Sequence, residues 1–193
     1  EPEHPGLHPK RVMLMLNEFI ADDDIVTTGV GQHQMFATHY LRRRKPGTFI
    51  TSGGAGTMGF GLPAGIGAAI ANPHRRAFVV DGNGSFQMTL QELGTMADAK
   101  ARVTIVILDN GYLGMVRQWQ DLFLNKRYSS VEMLNNPDFV IIASAYGIAV
   151  TGTQTIDTMI EVAEELGAEV RMMVMDNRKF LLEDHDIKMY KWK

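Results

Sequence analysis

Apolar residues recur along this chain with two alternating periods. Within residues 10–20, Val12, Leu14, Met15, Leu16, Phe19 and Ile20 fall largely on one side of a helix, the spacing of an amphipathic segment. Ile25-Val26-Thr27-Thr28 is a short β-branched run that ends at Gly29 and reads as a strand. Residues 32–41 read as helix and 48–51 as strand. Residues 58–71, rich in Ala and Gly, suit a helix packed close to a sheet. Residues 77–80 and 103–108 are apolar throughout. The helical stretch 87–100 between them places Met88, Leu90, Leu93 and Met96 at apolar positions. Further on, 137–146 and 155–166 read as helices, and 148–150 and 169–175 as strands. Fully apolar strands separated by helices predict a doubly wound α/β domain. Its sheet is mainly parallel, of about six strands, with helices on both faces and right-handed crossovers.

In such a sheet, ligands bind beyond the carboxyl ends of the strands, near a switch in strand order. Gly29-Val30-Gly31, Gly53 to Gly56, Gly82-Asn83-Gly84 and Gly111 each follow a predicted strand. Four such ends on one rim make a site. The most informative stretch is Asp81-Gly82-Asn83-Gly84-Ser85-Phe86, followed after the next helix and strand by Asp109-Asn110-Gly111-Tyr112. Glycines there let the backbone approach a phosphate, and the helices that follow offer unpaired N–H groups. Oxygens of Asn83, Asn110 and a main-chain carbonyl near Tyr112 form a donor set suited to Mg²⁺, completed by a diphosphate and water; taken alone, the same segments read equally as ordinary strand-to-helix turns.

Composition narrows the classes. The chain has 193 residues, 45% hydrophobic and 21% charged, enough for one domain with a sizeable core. A formal net charge of −3 gives no basic field for nucleic acid or an anionic membrane. No apolar run is long enough to span a bilayer. The basic run Arg42-Arg43-Arg44-Lys45 reads as the solvated end of a helix. There is no cysteine, hence no disulfide framework and no thiolate. The start is neither basic nor apolar and carries Pro2, Pro5 and Pro9. It reads as a linker remnant (1–9) before a single domain (10–176) and a charged tail (177–193), as in a domain excised from a longer chain.

The spacing of Gly82 and Asn110 resembles the signature of thiamine-diphosphate enzymes, and the likeness extends further. Gly29-Val30-Gly31-Gln32-His33-Gln34-Met35, Ser52-Gly53-Gly54, Gly56-Thr57-Met58-Gly59-Phe60-Gly61-Leu62-Pro63-Ala64, Gly84-Ser85-Phe86-Gln87-Met88, Gln91-Glu92-Leu93 and Asn110-Gly111-Tyr112-Leu113-Gly114-Met115-Val116-Arg117-Gln118-Trp119 all resemble acetolactate synthase segments, in order. The resemblance implies a thiamine-diphosphate-binding fold, with thiamine diphosphate and Mg²⁺ as cofactors. Gln32 and His33 match donors to the diphosphate. Met58 matches the residue beneath the folded cofactor. Asn83 and Asn110 match side-chain metal ligands, and Tyr112 a main-chain one. Leu113, Gly114 and Met115 match the loop over the cofactor. Gly31, Gly56, Gly82, Gly84 and Ser85 complete the implied cofactor contacts, and Met115 with Trp119 the pocket for a second 2-oxoacid. Taken singly, Met58 and Trp119 read as core packing and His33 as an ordinary histidine; the aligned context reverses this.

Two departures stand out. Asn83 occupies the place of the family's aspartate, which predicts weaker metal and cofactor binding. Asp81 is the nearest substitute, but strand-end geometry points it elsewhere. The tail after Asp176 does not follow the family's pattern. The resemblance also implies parts that 193 residues cannot hold. These are the activating glutamate, on a pyrimidine-binding domain or subunit in trans, and a middle domain that binds FAD. No catalytic residue is therefore expected in this chain, and alone it is expected to be inactive. The expected reaction of the complete enzyme joins pyruvate to a second 2-oxoacid with loss of CO₂, giving 2-acetolactate for branched-chain amino-acid synthesis. The expected setting is a homodimer or tetramer in the cytoplasm, or a plastid in a plant. Related carboligases, oxidases and decarboxylases, and a non-catalytic cofactor-binding domain, are the alternatives.

Overall fold

A computed structural model describes residues 8–153 and 172–176. In chain order the elements are α1 (Pro9–Phe19), β1 (Ile25–Thr28), α2 (Gln32–Tyr40), β2 (Phe49–Thr51), α3 (Gly61–Ala71), β3 (Ala77–Gly82), α4 (Asn83–Gln87), α5 (Glu92–Asp98), β4 (Val103–Asp109), α6 (Gly114–Phe123), α7 (Phe139–Ala145), β5 (Val150–Thr153) and β6 (Met172–Asp176). The six strands form one sheet in the order β2-β1-β3-β4-β6-β5, parallel at every pairing. The expected helix at 155–166 and the tail at 177–193 lie outside the described residues.

Because side chains alternate across a strand, each face of the sheet has its own core. On one face Phe78, Val80, Val106, Leu108 and Met175 meet Val12, Met13 and Leu16 of α1 and Phe36 of α2. On the other, Val79, Ile105, Ile107 and Met172 meet Leu62 and Ile66 of α3, Phe86, Leu93 and Met96, and Phe139 of α7. The continuous apolar runs read from the sequence are the strands buried on both faces. The Ala/Gly composition of α3 has a specific cause at Gly65. A Cβ there would lie 2.4 Å from Val79 Cγ2 and 3.0 Å from Thr27 Oγ1, so only glycine lets α3 come this close.

Three local expectations change. Residues 58–71 yield a helix only from Gly61, because the turn before it takes positive φ at Gly56 (63°) and Gly59 (80°). The helix expected over 87–100 begins only at Glu92 as α5, and a separate short helix, α4, occupies Asn83–Gln87, in the stretch read as a turn after the strand. Thr89 Oγ1 donates to the Gly59 carbonyl (2.9 Å), and the intervening turn closes with Met88 N to Ser85 O and Thr89 N to Phe86 O. The basic run is not simply a solvated helix end. α2 stops at Tyr40, Arg43 donates to the carbonyls of Ala21, Asp22 and Asp24, and Lys45 pairs with Asp23. These contacts clamp the turn that precedes β1.

Candidate functional site

β1 is followed by β2 on one side, whereas β3 is followed by β4 on the other. The strand order therefore switches between β1 and β3. A cavity of ≈ 240 Å³ opens there, at the carboxyl ends of β1, β3 and β4. Its wall is built from Gly31, Gln32 and His33 at the start of α2, and Gly56 and Met58 before α3. Gly82, Asn83, Gly84 and Ser85 follow β3, and Asn110, Tyr112, Leu113, Gly114 and Met115 follow β4. Every position that the resemblance assigns to the cofactor lies on this one wall. Trp119 does not. It stands one helical turn past Met115, 56% exposed, with its ring against Phe123 at 5.8 Å.

Two helices present their first turns to the cavity. α2 begins behind Gly31 and α6 behind Leu113, and neither cap residue supplies a side-chain hydrogen bond. Helix starts carry N–H groups with no partner inside the helix, and these suit an anion. The two starts meet closely. Asn110 Nδ2 donates to Gln32 Oε1 (3.3 Å), and Gln32 Nε2 donates to Gln118 Oε1 (3.3 Å). A Cβ on Gly114 would fall 2.2 Å from Gln32 Oε1 and 2.6 Å from Asn110 Nδ2. Glycine at 114 is a condition of that junction.

The residues fit a divalent cation with a diphosphate. Among the described residues no lysine or arginine lines the cavity, and the ionisable side chains on its wall are His33 and Tyr112. Among the described residues no cluster of three or more His, Cys, Asp or Glu could hold a metal by itself. The oxygens that line the cavity at the ends of β3 and β4 are neutral amide, hydroxyl and carbonyl groups, since neither Asp81 nor Asp109 lines it. Hard cations accept such oxygens, and here the negative charge would come from the ligand. Tyr112 is well placed to contribute its carbonyl. It faces Glu132 in an isolated antiparallel bridge closed by Leu113 N to Val131 O and Met133 N to Gly111 O, each 2.8 Å. Those bonds leave the Tyr112 carbonyl outside the bridge. Its ring is fixed by Arg117, whose guanidinium stacks between Tyr112 (4.1 Å) and Tyr128 (4.2 Å). Asn83 directs its Nδ2 toward Met133 Sδ at 3.8 Å.

Behind this wall lies a buried acid–base contact. Asp81 is fully buried and turns from the cavity toward His33, with Oδ1 3.3 Å from Nε2. Burial drives the His33 pKa down to about 3 and the Asp81 pKa up to about 7. Hydrogen bonds from Ser85 and the Gly82 amide partly offset the rise at Asp81. His33 is thus neutral, and the contact is not an ion pair at neutral pH. Ser85 Oγ in turn accepts from Val30 N (3.2 Å) and Gly59 N (3.0 Å), tying the ends of β1, β3 and the pre-α3 turn together. Asp81 is absent from the cavity lining, in line with the expectation that strand-end geometry points it elsewhere.

Sequence reasoning missed two parts of the site. Pro9, Val30, Phe36, Leu108 and Val116 also line the cavity; as isolated apolar residues they carry no signal of their own. The segment 131–136 reaches Asn83, Asp109 and Gly111 and carries no sequence signal that points to the site.

Comparison with known proteins places the chain. Residues 29–183 match the family described as thiamine pyrophosphate enzyme, C-terminal TPP binding domain. The chain is 48% identical over 148 residues to the acetolactate synthase isozyme 2 large subunit of Escherichia coli K12, covering 76% of this chain and 27% of that protein. It is 45% identical over 186 residues to the mitochondrial acetolactate synthase catalytic subunit of Saccharomyces cerevisiae, covering 94% of this chain and 26% of that one. It thus spans about a quarter of the length of these relatives. Among solved structures, the thiamine diphosphate-dependent 4-hydroxybenzoylformate decarboxylase of Rhodococcus jostii RHA1 shares the fold. The TM-score is 0.80 at 24% identity, over 91% of this chain and 33% of that one. On the family match, the parallel fold and the wall at its switch point, this chain belongs to the C-terminal, cofactor-binding domains of thiamine pyrophosphate enzymes.

Proposed function

We propose that this domain holds the diphosphate end of thiamine diphosphate through Mg²⁺ and serves an acetolactate synthase that condenses two 2-oxoacids. The observation that carries the reading is the cavity wall. Two uncapped helix starts and three neutral oxygen donors converge where, among the described residues, no lysine or arginine is present. A diphosphate entering such a wall has N–H donors but no counter-charge, so its binding depends on a divalent cation. Asn83, Asn110 and the Tyr112 carbonyl would hold that cation. Gln32 and His33 would donate to the phosphate oxygens, neutral His33 by a ring N–H. Met58 would support the cofactor, and Leu113, Gly114 and Met115 would cover it.

Thiamine diphosphate, when bound, would supply an electron sink for the pair left behind as a 2-oxoacid loses CO₂. The chain's own contribution is orientation and exclusion of water. The rest of the reaction belongs to other parts: a pyrimidine-binding domain or subunit bearing a glutamate, a domain for FAD, and a homodimer or tetramer that joins them. The exposed apolar run Val116, Trp119, Leu122, Phe123 along α6 supports a partner surface beside the cavity. Trp119 on that run would then meet the acceptor only in the assembled enzyme. No helix among the described residues is long and apolar enough to cross a membrane. The proposed setting is branched-chain amino-acid synthesis in the cytoplasm.

Calorimetric titration of thiamine diphosphate into the chain, with Mg²⁺ and with a chelator, tests this. Binding is expected with Mg²⁺ and lost with the chelator. Equal binding in both, or none with millimolar cofactor and Mg²⁺, overturns the proposal.

A further inference from the structure

Asn83 and Asn110 sit on separate turns, each beyond the last paired residues of its strand. The β3–β4 register ends at Gly82 with Leu108, so sheet pairing does not set the separation of the two turns. Mg²⁺ tolerates little error in that separation, since it demands near-ideal octahedral geometry. Something outside the sheet has to hold the turns.

We propose that Asn136 is a positioning residue that braces the turn after β3 against the turn after β4. This rests on the reading of the cavity as a metal–diphosphate site. One hydrogen-bonded chain runs through its amide. Gln87 Nε2 donates to the Asn83 carbonyl (3.0 Å) and to Asn136 Oδ1 (3.0 Å). Asn136 Nδ2 donates to Asp109 Oδ1 (2.9 Å), which also accepts from Gly111 N (3.0 Å). The backbone that carries Asn83 is thereby linked to the turn that carries Asn110.

Position 136 needs an amide, because it accepts on one side and donates on the other. A carboxylate cannot make the second bond, and would face Asp109 charge to charge. The brace is itself anchored. Asn136 precedes Pro137, which restricts its backbone to extended conformations. Asp138 then caps α7 through Val140 N (2.9 Å) and Ile141 N (3.1 Å). The first residue of α7, Phe139, is buried against Phe86 with ring centroids 5.6 Å apart. A rigid core contact therefore sits three residues from the amide that spans the turns.

The test compares Asn136→Ala and Asn136→Asp with Asn135→Ala, whose side chain is exposed next door. Amide exchange is first measured on unliganded protein. Loss of the brace is expected to speed exchange at Gly111 and Leu113 about tenfold, with β3 and β4 amides unchanged. The Mg²⁺ concentration for half-maximal binding at saturating thiamine diphosphate is then expected to rise about tenfold, while Asn135→Ala matches the wild type in both. Unchanged exchange at Gly111 and Leu113 overturns the proposal. So does faster exchange spread across the sheet, which would mark a merely structural residue, or an unchanged Mg²⁺ requirement. If the wild-type chain takes up no cofactor at all, the metal-site reading falls. The exchange comparison needs no ligand and still decides the brace.

Discussion

The two turns that face each other across the cavity are held in opposite ways. After β3, Asn83, Gly84, Ser85 and Phe86 are all buried; Phe86 has no exposed surface, and Ser85 gathers two distant amides. After β4, Asn110, Tyr112, Leu113 and Met115 are only half-buried, and the helix they lead into has an exposed apolar face. That second turn is held by hydrogen bonds from residues 131–136 and by the Arg117 stack. The first inherits its rigidity from the core, which resists opening as a whole. The second depends on contacts worth about 1 kcal/mol each, which open locally. A site of this kind has one fixed jaw and one adjustable jaw.

The sharpest way to break the comparison is to remove an aromatic ring from each side. Phe86→Ala is expected to lower unfolding stability by about 3–5 kcal/mol. Phe123→Ala, on the exposed face of α6, should stay within about 0.5 kcal/mol. Urea unfolding of both variants checks this, and equal losses would refute the division into fixed and adjustable halves.

A second test concerns the acid–base contact inside the fixed half. Burial keeps His33 neutral down to about 3, so stability from His33 is lost as pH falls below its ordinary 6.5. Burial keeps Asp81 protonated up to about 7, so stability from Asp81 is lost as pH rises above its ordinary 3.8. Between those ordinary values the two slopes oppose each other. Relative to the wild type, Asp81→Asn should therefore become more stable as pH rises from 4 to 6, and His33→Gln less stable. Each slope approaches about 1.4 kcal/mol per pH unit. Thermal midpoints across that range would expose parallel curves, which would contradict the buried contact.

The smallest expected effect sharpens the comparison at the metal itself. Asn83→Asp restores a negative ligand on the fixed half. It should lower the Mg²⁺ needed for half-maximal cofactor binding on the order of tenfold. An unchanged requirement would mean that the side chain at 83 does not reach the cation.

How far the sequence reveals this molecule follows the same division. Strands buried on both faces announce themselves as apolar or β-branched runs, so β1, β3 and β4 were legible to within a residue or two. The cavity wall was legible because its glycines and amides lie in short, ordered blocks after those strands. What escaped depends on contacts between distant segments. The break between α4 and α5 rests on Thr89 finding the Gly59 carbonyl. The Asp81–His33 contact joins residues that nothing in their spacing relates. Asn136 looks like any loop asparagine before a proline, and its role exists only once β3 and β4 are side by side. Trp119 illustrates the converse. Its place in the pattern is plain, yet within this chain its ring lies out on the surface.

The bridge between Tyr112 and Glu132 also makes chain length a functional quantity. The connection from α6 back to residue 131 passes through Asn125, Lys126 and Ser130, each in the left-handed region. Those conformations set how many residues return the chain to its partner. Inserting or deleting one residue there would slide 131–133 along 111–113, and a one-residue slip turns every side chain to the opposite face. Substitutions within this connection should be well tolerated while changes of length should not. For anyone grafting the domain into a new host, the safe place to splice is elsewhere.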